Sequence, residues 1–248
     1  MLANQIEIQV KEKNGSLVDF IINLQRYAVA GQMFSDITHE LNNIVGAMLG
    51  FAQIAKMTNK ENDIKKCFEV IISCSEKAKQ INNSMLSYLQ ANSKDEREAD
   101  INTIIYQSIS LANKGFYRKG IKVSFLPGSI PIIKLRIGLF QHAFLNFLLD
   151  VKKNISNGKE LKITTEHNEK EKQIEINLRN STFLADCRTR AERLESFQDI
   201  FNSFENPDGL NKDINVRIAS WIVNKEIGGE VLNSGEEKVT GYKIKIPV

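Results

Sequence analysis

His39 is the residue of this sequence best placed for nucleophilic chemistry. It is followed directly by Glu40 and lies two residues after Ile37, which is about 200° farther around a helix at roughly 100° per residue. If Ile37 belongs to the packed face of that helix, the imidazole faces water. An exposed imidazole on a rigid helix can act as a nucleophile. The alternative is a surface histidine without a function.

Residues 31–58 predict the helix that carries His39. They contain no proline, and their apolar residues repeat at alternating steps of four and three. This spacing is typical of a helix that packs along its length against other helices. The pattern begins near Leu17, breaks at residues 58–62 and resumes in a second helix. The two apolar seams consist of Ile37, Leu41, Ile44, Met48, Phe51 and Ala55, and of Ile64, Cys67, Ile71, Cys74, Ala78, Ile81, Met85 and Tyr88.

The two seams predict a helical hairpin that forms a homodimer. Each helix carries one apolar stripe, and a lone hairpin cannot bury both stripes fully. Doubling the hairpin about a two-fold axis gives a four-helix bundle that can. Cys67 and Cys74 fall on the second seam, so we interpret them as small buried hydrophobic residues rather than redox or metal groups.

Composition excludes several classes of function. The chain has 248 residues, 42% hydrophobic and 25% charged, with a net charge of +3 that gives no argument for nucleic acid. No apolar run approaches the roughly 18 residues of a membrane span, and the first 15 residues lack the apolar core of a signal peptide. Three cysteines in no metal-ligand pattern and only three histidines predict no metal site and a cytoplasmic protein. Residues 1–15 are too short for a sensory domain, so a complete chain of this length would receive its signal from elsewhere.

A charged stretch at residues 91–98 predicts a linker and divides the chain into domains 1–95 and 96–248. Beyond the linker, helical and strand patterns mix, which indicates an α+β fold. Helices are predicted at 101–114, 139–155, 191–204 and 215–227, and strands at 121–126, 161–166, 173–178, 230–232 and 242–246.

The run His39-Glu40-Leu41-Asn42-Asn43 resembles the phosphoacceptor box of two-component sensor histidine kinases. The second domain is similar in its order of elements to the ATP-binding domain of that family, an α/β sandwich. The segments that carry this second resemblance are Phe144–Asp150 (N-box), Ile200–Phe204 (F-box), Ile218–Val223 with Gly228-Gly229, and Thr240–Pro247.

The sequence departs from the family where nucleotide is bound. Asn146 matches the first N-box asparagine, but Asp150 replaces the second, which holds Mg²⁺ in the family. The stretch 179–184, with Asn180, lacks the aspartate and glycines of the first glycine box, and Asp213–Val216 has side chains where the second has glycines. Asp213 would also bring a negative charge near the triphosphate. We therefore predict that ATP binding is lost, that no cofactor is tightly bound, and that Asn146, Asp150 and Asn180 are remnants; the alternative is a divergent working kinase.

The resemblance then implies a histidine phosphotransfer protein that shuttles a phosphoryl group between the receiver domains of response regulators through His39. It implies that Glu40 hydrogen-bonds the other ring nitrogen and that Mg²⁺ comes from the receiver. Asn43, one turn on, could orient a water or the phosphoryl oxygens; the alternatives are a solvated Glu40 and a bystander Asn43. Receivers are expected to dock on the exposed face around Ser35, Asp36, Asn42 and Gly46. Two other hypotheses stay open: an ATP-dependent autokinase and a non-catalytic scaffold.

Overall fold

The structure, a computed structural model, describes residues 2–90, 96–180, 190–191, 214–234 and 241–248. Two long helices, α1 (Leu2–Met57) and α2 (Glu61–Gln90), form the predicted hairpin. Its turn lies at residues 58–60, within the predicted break. Helix α1 begins well before Leu17, because the segment ahead of it contains no proline, and its one glycine costs only about 1 kcal/mol in a helix.

The two predicted seams face the inside of the hairpin, but they are not fully covered. Ile37 and Ile44 of α1 are buried, as are Cys67, Ile81 and Tyr88 of α2. The other seam residues are half-buried. Both cysteines lie on this seam, where Cys67 is buried, as predicted, and Cys74 is half-buried. One hairpin therefore leaves part of its apolar surface unburied.

The linker prediction is wrong for Glu96–Glu98, and residues 91–95 lie outside the described part. Strand β1 (Glu96–Ala99) pairs antiparallel with β3 (Ile133–Arg136), a short strand that the sequence patterns did not indicate. In this register Glu96 lies opposite Arg136, and Glu98 lies opposite Lys134. Opposite charges on facing strands stabilise such a pair, which explains why a charged stretch forms a strand here.

The second domain has the predicted α+β fold. In the part of the chain that the structure describes, its main sheet has six strands in the order β2-β4-β5-β8-β7-β6, with β2 and β4 parallel and the other pairs antiparallel. Ala191, predicted as helical, lies in β6, and the rest of that prediction falls outside the described residues. The strands are β2 (Lys122–Leu126), β4 (Glu160–Asn168), β5 (Gln173–Asn180), β6 (Arg190–Ala191), β7 (Glu230–Ser234) and β8 (Gly241–Pro247).

Within the described residues three helices accompany the sheet: α3 (Ile101–Arg118), α4 (Ile137–Asn154) and α5 (Ile214–Trp221), the last continuing as a π-helical turn, Ile222–Glu226. Helix α4 is almost wholly buried and contacts the sheet through Phe147, whose ring lies 4.7 Å from that of Tyr242 in β8. Both α3 and α4 also contact the hairpin. The helices of the second domain therefore lie between its sheet and the hairpin.

A buried hydrogen-bond network joins the hairpin to the second domain. The Tyr88 hydroxyl lies 2.8 Å from His142 Nδ1, and His142 Nε2 lies 2.9 Å from Gln25 Oε1. Gln25 Nε2 in turn donates to Asn215 Oδ1 at 2.9 Å. Because Gln25 Oε1 can only accept, His142 carries its proton on Nε2, and Nδ1 accepts from Tyr88. The network connects α1, α2, α4 and α5 through one imidazole that is fully buried.

Burial, aided by the positive charge of Arg26, lowers the pKa of His142 to about 3. In the unfolded chain the same imidazole titrates near 6.5, so below that pH the unfolded state binds one more proton than the folded state. The stability from neutral His142 is therefore complete above pH 6.5 and is lost as the pH falls from 6.5 toward 3.

We expect the free energy of unfolding to fall by about 1 kcal/mol per pH unit below pH 6 because of this histidine. Urea unfolding at pH 7, 6 and 5 measures the slope. His142→Gln should flatten it, whereas His167→Gln, on strand β4, should leave it unchanged. An unaltered slope in His142→Gln would contradict the assignment.

Candidate functional site

His39 lies exposed near the middle of the hairpin, with Ile37 and Ile44 buried on the other side of α1. The water-facing imidazole that the spacing predicts is thus present. Ser35, Asn42 and Gly46 are also exposed. Ser35 lies one helical turn before His39, and Asn42 and Gly46 lie one and two turns after it, so the three share its face.

The surface around His39 is open. A Cβ added to Gly46 would meet no heavy atom within 4 Å, and the same holds for Gly50 one turn farther along. Asn43, also exposed, follows His39 by four residues and is its neighbour on the helix surface. A globular partner can therefore approach the imidazole without displacing side chains from this part of the helix.

Asp36 differs from the other residues predicted for docking, because the second domain covers it. Its side chain is 15% exposed, and its Oδ1 accepts from Arg118 Nη1, at the end of α3, at 2.5 Å. Lys152 of α4 also lies beside this carboxylate. Burial lowers the pKa of Lys152, and the negative charge of Asp36 opposes this shift in part. The second domain thus contacts α1 one turn before His39.

Glu40 forms an ion pair with Lys77 of α2, at 2.8 Å between Oε1 and Nζ. Adjacent residues on a helix point about 100° apart, so Glu40 turns toward α2 while His39 turns toward water. The suggested hydrogen bond from the imidazole N–H to the Glu40 carboxylate stays a prediction, as does the role of Asn43.

The remnants of the N-box are buried in α4. Asn146 is 1% exposed; its Nδ2 donates to the carbonyl of His142 at 3.0 Å, and its Oδ1 has no partner within the described residues. Asp150 Oδ2 accepts from the Tyr242 hydroxyl at 2.6 Å. Asn180 is the last residue of β5, buried and paired with Leu161 in β4. These side chains make contacts within the protein.

Several residues predicted for the nucleotide region cannot be placed. The F-box residues 200–204, residues 181–184 and Asp213 lie outside the described part of the chain. Of the predicted second glycine box, Ile214–Val216 forms the first turn of α5, where Asn215 accepts from Gln25.

Sequence patterns missed the residues that join the two domains: Gln25, Tyr88 and His142, and the cations Arg118 and Lys152. One signal was available. His142 is the single ionisable residue in the apolar run 139–149, and a polar group buried in such a helix needs hydrogen-bond partners. In the described part of the chain no cluster of histidine, cysteine or acidic residues is arranged to hold a metal ion. No helix there has the length and apolar character needed to cross a membrane.

Residues 30–94, which contain His39 and both seams, match the family model of the His Kinase A (phospho-acceptor) domain. Residues 30–94 therefore correspond to a histidine kinase phosphoacceptor domain. The match confirms the resemblance to the two-component histidine kinase family that the box His39–Asn43 indicated. No curated protein matches this sequence significantly.

Several solved histidine kinase structures are similar to this chain at low identity. The catalytic domain of histidine kinase ThkA is 16% identical over 62% of this chain and 97% of its own, with a TM-score of 0.47. ThkA in complex with the response regulator TrrA is 18% identical over 91% of this chain and 64% of its own, with a TM-score of 0.45. The histidine kinase AdeS of Acinetobacter baumannii is 12% identical over 84% of this chain and 97% of its own, with a TM-score of 0.43. The family assignment therefore rests on the phosphoacceptor domain.

The bond between Tyr242 and Asp150 should contribute to stability, because both side chains are buried. We expect Tyr242→Phe to lower the free energy of unfolding by about 1–3 kcal/mol, since a buried carboxylate loses a donor. Tyr106→Phe, at an exposed tyrosine of α3, should change it by less than about 0.5 kcal/mol. Chemical denaturation of both variants measures the difference, and equal stabilities would show that the bond is dispensable.

Proposed function

We propose that this chain is a histidine phosphotransfer protein of a bacterial phosphorelay. The observation that carries the proposal is the exposed His39 on an open helix face within a phosphoacceptor domain. His39 accepts a phosphoryl group from the phospho-aspartate of one receiver domain and passes it to the aspartate of another. It does so without ATP, as a dimeric cytoplasmic protein.

The transfer needs little covalent machinery from this chain. A ring nitrogen of His39 attacks phosphorus, the P–O bond to the donor aspartate breaks, and that aspartate leaves as a carboxylate while the imidazole gives up its proton. The acceptor aspartate reverses these changes. Phosphoryl transfer depends mainly on in-line positioning and on charge stabilisation. The receiver is expected to bring Mg²⁺, and the open face at Ser35, Asn42 and Gly46 gives it access.

The state of the N-box positions supports a function without ATP. By family resemblance Asn146 and Asp150 would present oxygen atoms to Mg²⁺ and the phosphates. Here Asn146 Oδ1 is buried, and Asp150 accepts a hydrogen bond from Tyr242. The contact of Asp150 with Tyr242 and the burial of Asn146 Oδ1 favour a protein that works without the nucleotide.

Unburied apolar residues on the hairpin support the homodimer. Val45 of α1 is 58% exposed, and Phe68 and Ile72 of α2 are 56% and 57% exposed. Large apolar side chains exposed in series along two adjacent helices are typical of a surface that another protein covers. A second copy of the hairpin, packed as a four-helix bundle, supplies the matching apolar surface.

Phosphotransfer assays test the proposed function. A phosphorylated receiver should transfer label to the wild-type protein and to His167→Gln at equal rates, and His39→Gln should take up none. Incubation with γ-labelled ATP and Mg²⁺ should leave the wild-type protein unlabelled. Label from ATP on His39 would instead identify an autokinase. Undiminished phosphate flow between receivers with His39→Gln would identify a scaffold.

The dimer is tested by light scattering coupled to size exclusion. The wild-type protein should elute at twice its chain mass of 28.1 kDa. Val45→Glu with Ile72→Glu places two charges in the bundle and should give monomers, because burying unpaired charges costs several kcal/mol. Gln53→Glu, at an exposed polar position of α1 two turns after Val45, should stay dimeric. A monomeric wild-type protein would contradict the bundle.

A further inference from the structure

We propose that Arg118 and Lys152 of the second domain bind the phosphoryl group that His39 carries. In the unmodified protein Arg118 pairs with Asp36; in the phosphorylated protein its guanidinium turns to the phosphoryl oxygens. The inference rests on the proposed function, since it requires a phosphohistidine at position 39, and it assigns two residues outside the phosphoacceptor domain to that site.

The ion pair between Arg118 and Asp36 places a cation one helical turn from His39. Arg118 Nη1 lies 2.5 Å from Asp36 Oδ1, and Asp36 precedes His39 by three residues. Side chains three residues apart on a helix are surface neighbours, with about 5–6 Å between their Cβ atoms. The Arg118 side chain is 62% exposed, so it can change its direction without leaving a packed site.

Lys152 converges on the same carboxylate from α4. A Cβ on Gly115 would lie 2.5 Å from Lys152 Nζ and 2.9 Å from Asp36 Oδ2. Both atoms thus occupy the space that glycine leaves open on α3. Lys119 Nζ donates to the main-chain oxygen of Lys152 at 2.7 Å, which ties the ends of α3 and α4 together.

The charges of this cluster favour a phosphorylated neighbour. Two cations face one carboxylate, so the cluster keeps a positive charge beside an imidazole that would gain nearly two negative charges on phosphorylation. Without the cations, Asp36 would repel the phosphoryl group. A guanidinium also matches phosphoryl oxygens in a bidentate geometry, which a lysine lacks.

A purely structural role makes a different prediction. If the ion pair only fastens the second domain to α1, removing either partner has the same effect. If the cations bind the phosphoryl group, removing Arg118 weakens that binding, whereas removing the charge of Asp36 strengthens it. Asp36→Asn and Arg118→Ala therefore separate the two roles by the sign of their effects.

The experiment uses potassium phosphoramidate, which phosphorylates imidazole without ATP or a receiver. Its P–N bond breaks, ammonia leaves, and a new P–N bond forms to the ring while the imidazole loses a proton. The full chain is labelled in a His167→Gln background, so that the signal comes from His39, because His142 is fully buried. Phosphorus NMR then follows the phosphoryl titration with pH, since nearby cations lower its midpoint.

We expect Arg118→Ala to raise the midpoint by about half to one pH unit and Lys152→Ala to raise it by less. Asp36→Asn should lower it, Arg118→Lys should restore part of the wild-type value, and Lys162→Ala, an exposed lysine of β4, should leave it unchanged. Circular dichroism confirms that each variant is folded.

Equal midpoints in the wild-type protein, Arg118→Ala and Arg118→Lys, or parallel shifts in Arg118→Ala and Asp36→Asn, would overturn the inference. Because phosphoramidate supplies the phosphoryl group here, these midpoints do not depend on whether a receiver transfers its phosphoryl group to the protein. The two proposals are therefore tested separately.

Discussion

The buried imidazole of His142 is the interaction on which the arrangement of the two domains depends. It accepts a hydrogen bond from Tyr88 and donates one to Gln25, so a single ring of the second domain bonds to both helices of the hairpin. A neutral polar ring inside an apolar core is stable only when both nitrogens are bonded. This requirement fixes where α4 lies against α1 and α2.

The position of α4 has two consequences for chemistry. It turns Asn146 into the packed face of the helix, where its amide bonds the main chain of its own helix. It also brings the C-terminal ends of α3 and α4 to Asp36, one turn from His39. The residues that resemble a nucleotide site therefore make internal contacts, while the cations of the same domain lie beside the proposed phosphoacceptor.

The sequence patterns predicted those features that depend only on residues close together in the chain. The heptad spacing was sufficient for the hairpin, its turn and the exposure of His39, because the helix period alone decides which side chains share a face. Alternation and turn residues located strands β2, β4, β5, β7 and β8. Pairings between distant segments were missed: β1 with β3, and Tyr88 with Gln25 through His142. These partners are far apart in the sequence and meet only when the domains pack, so no pattern of neighbouring residues predicts them.

Asp36 shows that a residue predicted for docking from its position near His39 can be covered by a tertiary contact. Its spacing from His39 suggested a docking residue, but the structure covers its carboxylate with Arg118, so a partner meets the end of α3 at that point. A partner that approaches His39 from this side would therefore meet the end of α3 as well as α1.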